Sequence, residues 1–197
     1  MRDYFNIVLL GAPGSGKGTQ ANLLKQRYHL EHVSTGDLYR KEIASGSPIG
    51  TMAKRFIDNG HLCPDELTLD LLYHHCTSFK NVRGFLLDGV PRTLEQAKMM
   101  EGIGYHHIIP VKLAIYIEVD EKEIVDRLAK RAILLKRTDD THHVILQRIL
   151  NYENQTKPLI AHYSAQNKLM KVNGLQSVEE VFLNICEILD RIMSTAG

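Results

Sequence analysis

Five short apolar runs punctuate the chain: Phe5–Leu10, His32–Ser34, Gly84–Leu87, Leu113–Val119 and Leu169–Val172. Each is followed by a stretch whose apolar residues recur at helical spacing. A strand apolar on both faces belongs inside a sheet that is covered on both sides. The alternation therefore predicts an α/β fold, a parallel five-stranded sheet with helices on both faces. Helix ends carry their own marks. Asp120-x-x-Glu123 and Ser177-x-x-Glu180 have the spacing of capping boxes. Gly60 follows the pattern Met52–Asn59 as a stop signal. Pro158 falls inside the helical stretch Thr141–Gln166 and predicts a kink or break there. Two segments depart from plain alternation. Gly36–Cys76 holds three helical patterns, with Ser45–Gly50 read as a loop between two of them, and Arg131–Asp140 is a short polar, basic stretch between helices. In a doubly wound sheet, ligands sit beyond the carboxyl ends of the strands. Inserts at that edge are natural covers for a site, and covers that close suit phosphoryl transfer.

The first apolar run leads directly into Gly11-Ala12-Pro13-Gly14-Ser15-Gly16-Lys17-Gly18-Thr19-Gln20 and then into a helical pattern. Strand, glycine turn, lysine, hydroxyl and helix is the order of a phosphate-binding loop. Glycines let the backbone curl so that several N–H groups point at one anion. The helix start adds its positive dipole end, and Lys17 adds a full charge that can follow a phosphate during transfer. Gly18 stands where the generic loop has Ser or Thr, and the hydroxyl comes one place later, at Thr19. The third strand runs into Asp88, the place beside such a loop for a carboxylate that holds Mg²⁺ through water. Arg40, Arg92, Arg127, Arg131, Arg137 and Arg148 fall at loop edges or on helices bounding the short insert. Forked, planar donors suit the charge spread over a phosphoryl group in flight. No general base stands out, and a phosphate acceptor needs none, since it is already a nucleophilic anion. The set therefore points to a phosphate-to-phosphate kinase rather than a hydrolase.

Composition narrows the picture. With 197 residues, 44% hydrophobic and 24% charged, the chain suits one domain with a real core. A net charge of +1 argues against a polyanion-binding surface, so no nucleic-acid partner is expected. The apolar run after Met1-Arg2-Asp3-Tyr4 is too short for a signal peptide or a membrane span. Cys63, Cys76 and Cys186 lie far apart with no CxxC pair, which suits reduced thiols in a cytoplasmic setting. The pairs His74-His75, His106-His107 and His142-His143 lack metal-site spacing and are read as surface or core residues. A monomer is expected, because no long apolar stripe is left once the helices are assigned to the core.

Several of these segments, taken together, resemble the adenylate kinase family. They are the loop Gly11–Gln20, Ser34-Thr35-Gly36-Asp37-Leu38-x-Arg40, Asp88-Gly89-Val90-Pro91-Arg92-Thr93 with Gln96, Leu128-Ala129-Lys130-Arg131, Arg137-Thr138-Asp139-Asp140 and Tyr152-x-x-x-Thr156-x-Pro158-Leu159-Ile160-x-x-Tyr163. The likeness runs in register over nearly the whole chain, and Gly18 is the form this family uses. It implies a single P-loop kinase domain over 1–197, an AMP-binding insert over 34–63 and a lid over 130–140 of the short kind, without a zinc site. It implies reversible transfer from Mg–ATP to AMP, giving two ADP. Gly14, Ser15, Gly16, Lys17, Gly18 and Thr19 would then hold the ATP phosphates. Arg127 would face ATP, and the backbone of Gln176 would lie near its adenine. Thr35, Arg40, Gly89, Val90, Pro91, Arg92 and Gln96 would hold AMP, with the backbone of His61, Leu62 and Cys63 near the base. Arg131, Arg137 and Arg148 would clamp the transferring phosphoryl, in one catalytic set with Lys17, Arg92 and Arg127.

Thr35 and Gln96 bear on the choice of base. Thr35 looks like the adenylate type, and a Gln amide can pair a donor and an acceptor with an adenine edge. Gln96 also completes the capping spacing Thr93-x-x-Gln96, so it has two readings. Another nucleoside monophosphate kinase, for UMP/CMP or GMP, and a non-catalytic ATP-binding module are the alternatives. Val90 stands where this family usually has Phe, His61 where Lys is common, and His142-His143 where an acidic pair is usual. The proline matching Pro91 is often cis in the family, and a tight turn at Val90-Pro91 is compatible with that.

Overall fold

The computed structural model describes residues 4–102, 105, 109–134 and 141–195; the side chains of 121, 129–134 and 195 stand outside that description. Its five strands are β1 (Asn6–Leu10), β2 (Glu31–Ser34), β3 (Phe85–Asp88), β4 (Val111–Glu118) and β5 (Leu169–Asn173). They form one sheet in the order β2-β3-β1-β4-β5, every neighbouring pair parallel. All five predicted strands form, with ends shifted by one or two residues. Burial on both faces holds for the centre of the sheet. Every residue of β1 is buried, but most of β2 and β5 is half-buried or exposed, because each has a neighbour on one side only.

The two faces of the sheet carry separate cores. Ile7 and Leu9 of β1, with Leu113, Ile115 and Ile117 of β4, pack under α1 (Lys17–Tyr28) and the final helix Val178–Thr195. Val8 and Leu10 point the other way, with Phe85, Leu87, Ala114 and Tyr116. They meet Leu69 and Leu72 of Asp65–Thr77, Met100 of Leu94–Glu101 and Tyr163 of Pro158–Ala165. This is the period-two division of a strand between two layers. Cys63, Cys76 and Cys186 are buried free thiols, and burial pushes the Cys76 thiol up to about 12.

Between β2 and β3 come the three predicted helices, α2 (Thr35–Ser45), α3 (Pro48–Ile57) and α4 (Asp65–Thr77). Tyr39, Ala53 and Cys63 give this insert a small core of its own. The loop expected over Ser45–Gly50 shrinks to Gly46 and Ser47. Ser47 caps α3 by accepting from the Gly50 N–H at 2.9 Å, and Pro48 takes the first helical position. Gly60 acts as the expected stop, in the left-handed region at φ 73° with its N–H on the Ile57 carbonyl.

Further helices among the described residues are α5 (Leu94–Glu101), α6 (Glu121–Leu134), α7 (His142–Asn151), α8 (Pro158–Ala165) and α9 (Val178–Thr195). The Ser177 capping box is complete. Ser177 N–H donates to Glu180 Oε2 at 2.9 Å and Glu180 N–H donates back to Ser177 Oγ at 3.2 Å. At Asp120 only one arm forms, Glu123 N–H to Asp120 Oδ1 at 2.9 Å, because the Glu123 carboxylate takes Arg127 instead. The break announced by Pro158 appears as a π turn over Tyr152–Thr156, after which Pro158 opens α8.

Candidate active site

A cleft of about 950 Å³ opens over the carboxyl ends of β1, β2 and β3. The Gly11–Thr19 turn forms its floor. Gly14 and Gly16 adopt φ 83° and 97°, a backbone only glycine takes without strain, and the chain then turns straight into α1. No acidic side chain lies in the first turn of α1, so its positive end is not neutralised from within. Lys17 Nζ donates to the carbonyls of Gly11 and Ala12, each at 2.9 Å, and reaches Ser15 Oγ at 3.5 Å. Ser15 is buried, whereas Gly16, Lys17, Gly18 and Thr19 are open to the cleft. A Cβ on Gly18 would lie 3.4 Å from Asp88 Oδ2, so the loop runs directly over that carboxylate.

Asp88 ends β3, opposite Ser34 in the ladder. Burial by itself pushes its carboxyl up. The contact with His32 and the charges of Lys17, His32 and Arg92 outweigh burial and hold it below the usual range, so Asp88 is an anion facing the loop. His32 Nε2 lies 3.6 Å from Asp88 Oδ2 and has no hydrogen-bond partner among the described residues. Sequence reasoning missed His32. The available signal was strand alternation, which puts His32 and Ser34 on one face of a strand whose partner ends in Asp88.

The wall on the insert side is tied together through Gly89, whose carbonyl accepts from Thr35 Oγ1 at 3.0 Å and from Arg92 Nε at 2.9 Å. Burial lowers the proton affinity of the Arg92 guanidinium, with Asp88 opposing it and Arg148 and Arg40 adding to it. Arginine stays charged across that range. Arg40 pairs with Asp37 and lines the same wall, as do His61, Leu62, Cys63 and Pro91. The Val90-Pro91 peptide is cis. Val90 itself differs from expectation. It is 1% exposed and packs in the core with Val33 and Leu87, so its side chain lies beneath the cleft and does not line it.

Gln96 lines the cleft and is held on three sides. Its N–H donates to Thr93 Oγ1 at 3.0 Å, its Oε1 accepts from the Arg92 N–H at 2.7 Å, and its Nε2 donates to Asp65 Oδ1 at 2.8 Å. The capping spacing is therefore used, with the side-chain arm reaching Arg92 rather than Thr93. Asp65, which also accepts from Thr93 Oγ1 at 3.1 Å, was another residue that sequence reasoning missed.

On the opposite wall, Arg127 donates from Nε to Glu123 Oε1 at 2.7 Å and from a terminal nitrogen to the Gly174 carbonyl at 2.9 Å. Gln176 lines this wall, and its Oε1 accepts from Asn184 Nδ2 at 2.7 Å. Gln20 donates to the Val178 carbonyl at 2.9 Å and so ties α1 to the start of α9. Arg148 enters from α7. Arg131 is helical in α6, but its side chain lies outside the described residues, as does all of Arg137. Among the described residues, no group of three or more His, Cys, Asp or Glu could hold a metal ion, and no helix is long and apolar enough to cross a membrane.

A parallel sheet whose first strand ends in a glycine loop and lysine, with a carboxylate on the neighbouring strand and arginines across the cleft, defines a P-loop nucleotide-binding protein arranged for phosphoryl transfer. The family model for adenylate kinase matches residues 9–168. A curated adenylate kinase of Bacteroides thetaiotaomicron is 41% identical over 187 residues, covering 95% of this chain and 99% of that protein. One from Clostridium perfringens is 37% identical over 210 residues, covering 93% and 97%. The chain belongs to the adenylate kinase family.

Proposed function

We propose that this protein catalyses reversible transfer of a phosphoryl group from Mg–ATP to AMP, giving two ADP. The observation that carries this reading is convergence: the glycine loop with Lys17, the Asp88 carboxylate, and Arg92, Arg127 and Arg148 all line one cleft with a separate wall on each side.

In this reading Gly14–Thr19 cradle the ATP phosphates with backbone N–H groups and the dipole of α1. Lys17 leaves the loop carbonyls for the phosphate being passed, and Gln176 borders the adenine. Thr35, Arg40, Gly89, Arg92 and Gln96 hold AMP, with the backbone of His61–Cys63 beside its base. Pro91 shapes that wall, and Val90 supports it from below. The AMP phosphate is itself the nucleophile, so the protein's task is to align two phosphates and neutralise charge. Arg92, Arg127 and Arg148 do so from the cleft walls, and Arg131 and Arg137 join them by family resemblance. The 34–63 insert is the AMP-binding element, and 130–140 is the short lid.

Asp88 suits Mg²⁺ chemically. It is an anionic carboxylate directly under the loop, and glycine at position 18 leaves the space over its oxygen clear of a side chain. A single carboxylate, with no group of three or more His, Cys, Asp or Glu around it among the described residues, matches a hydrated Mg²⁺ shared with phosphates. The ion would supply charge neutralisation on the phosphate oxygens. A cytoplasmic monomer is the corresponding setting.

The test is a product assay. Protein is incubated with ATP, Mg²⁺ and AMP, CMP, UMP, GMP or no acceptor, and the nucleotides are resolved by chromatography. ADP formed from both partners in the AMP tube alone is the expected result. Conversion of a different monophosphate would overturn the AMP assignment, and no acceptor-dependent product would overturn the enzyme.

A further inference from the structure

The helix that carries Arg148 continues into a turn with an unusual consequence. Asn151 closes α7, and its Nδ2 donates to the Gly60 carbonyl at 2.7 Å. Five residues later, Thr156 Oγ1 donates to the Arg92 carbonyl at 2.8 Å. These carbonyls belong to separate arms of the insert-side wall, the Gly60–Cys63 turn and the Gly89–Gln96 loop. In a regular α-helix, residues five apart point about 140° away from each other, too far to serve one wall. Here Tyr152–Thr156 is a π turn, closed by the Lys157 N–H on the Tyr152 carbonyl at 2.8 Å. Bonds that close over five residues bring positions five apart close to the same face.

The Gly60 contact is close-packed. A Cβ on Gly60 would lie 2.9 Å from the Val144 carbonyl oxygen and 3.1 Å from Gln147 Cβ, so the turn rests on α7. Asn151 is buried, and its amide orientation is fixed from the other end by Gln147 Nε2, which donates to Asn151 Oδ1 at 3.1 Å. Arg148, which enters the cleft, is one helical turn before Asn151.

We propose that Asn151 and Thr156 are positioning residues: the π turn aims both at the acceptor wall and holds its two arms in register with Arg148. The nucleotide phosphoryl acceptor then meets a wall set before it arrives. The inference rests on the reading that this wall takes the acceptor. It extends that reading by assigning the geometry of the wall to a helix irregularity.

The experiment compares full-length Asn151→Ala, Thr156→Val and Thr156→Ser with the unmodified protein. It measures KM for AMP, KM for ATP, kcat and the thermal midpoint. Loss of either donor should raise KM for AMP about three- to tenfold. KM for ATP should stay within about twofold, and Thr156→Ser should restore the AMP value because the hydroxyl is retained. A merely structural role would lower the thermal midpoint and raise both KM values together, and that outcome overturns the proposal. So does an unchanged KM for AMP in a folded variant. If Asn151→Ala fails to fold, Thr156→Val, which keeps the shape of the side chain, carries the test alone. Should the unmodified protein use another monophosphate, the same split is read with that acceptor, and the clamp stands while the AMP assignment falls. No acceptor-dependent product in the unmodified protein would remove both.

Discussion

The two sides of the cleft are built in different ways. The phosphate loop of the donor side is one continuous stretch, strand to loop to helix over residues 6–28, in which Lys17 is held by the nearby Gly11 and Ala12 carbonyls, with Arg127 and Gln176 added from other elements. The acceptor side is assembled from three distant pieces: the Thr35–Cys63 insert, the Gly89–Gln96 loop and the Asn151–Thr156 turn. Their contacts are side chain to backbone across elements: Thr35 to Gly89, Asn151 to Gly60 and Thr156 to Arg92. A local loop keeps its shape for as long as its strand and helix exist. An assembled wall keeps its shape only while every tie is made. The donor side should therefore fail in rate and the acceptor side in affinity and stability.

The largest expected effect is Lys17→Met. Removing the one lysine of the loop should lower kcat about 10²- to 10³-fold with little change in the thermal midpoint, since a preorganised charge is lost and no core contact goes with it. A variant with near-normal turnover would break the comparison at its strongest point. Next is Gly60→Ala. A non-glycine residue at φ 73°, with its Cβ 2.9 Å from the Val144 carbonyl oxygen, should cost about 1–3 kcal/mol by chemical denaturation and raise KM for AMP more than KM for ATP. Equal rises in both KM values would show that the walls are not independent.

The smallest effect concerns the outer brace between α5 and α8. The Glu101 carboxylate accepts from Gln166 Nε2 at 2.8 Å and lies 3.0 Å from His162 Nε2. Burial raises its proton affinity, but the hydrogen bonds to Gln166 and His162 and the charges of His162 and Lys168 together outweigh it and hold the carboxyl below its ordinary value. The folded state thus binds the proton less readily than the unfolded chain. The stabilisation is present above the ordinary carboxylate range and is lost as pH falls through the lowered value. The site is partly solvent-screened, so Glu101→Gln should cost only about a few tenths of a kcal/mol at pH 7. Urea denaturation of both proteins at neutral and acid pH should show that difference shrinking below about pH 4. A difference that grew in acid would reverse the sign of the argument.

How much of this was legible beforehand follows the same division. The five strands, the phosphate loop, the carboxylate at the end of the third strand and the break near Pro158 could all be read from periodicity and local residue chemistry. So could the halves of the capping boxes that form. For His32, alternation could give the face but not the pairing with Asp88, and Asp65 beside Gln96 and the Asn151 and Thr156 donors were not readable. Each depends on where a second element lies, and no spacing along the chain encodes that. Val90 was misplaced for a related reason: it sits between two residues of the cleft wall, and only its burial in the core cluster beneath that wall decides which way its side chain turns.

Taken alone, the sequence determined the order of elements, the two-faced core and the residue types at the donor loop. Those depend on hydrogen bonds and apolar periods that span a few neighbours. The tertiary structure alone decided how the acceptor wall is held, which face Val90 presents and how a π turn puts Asn151 and Thr156 on one side. Those outcomes depend on directions in space between residues far apart in the chain, fixed only when both faces of the sheet are packed.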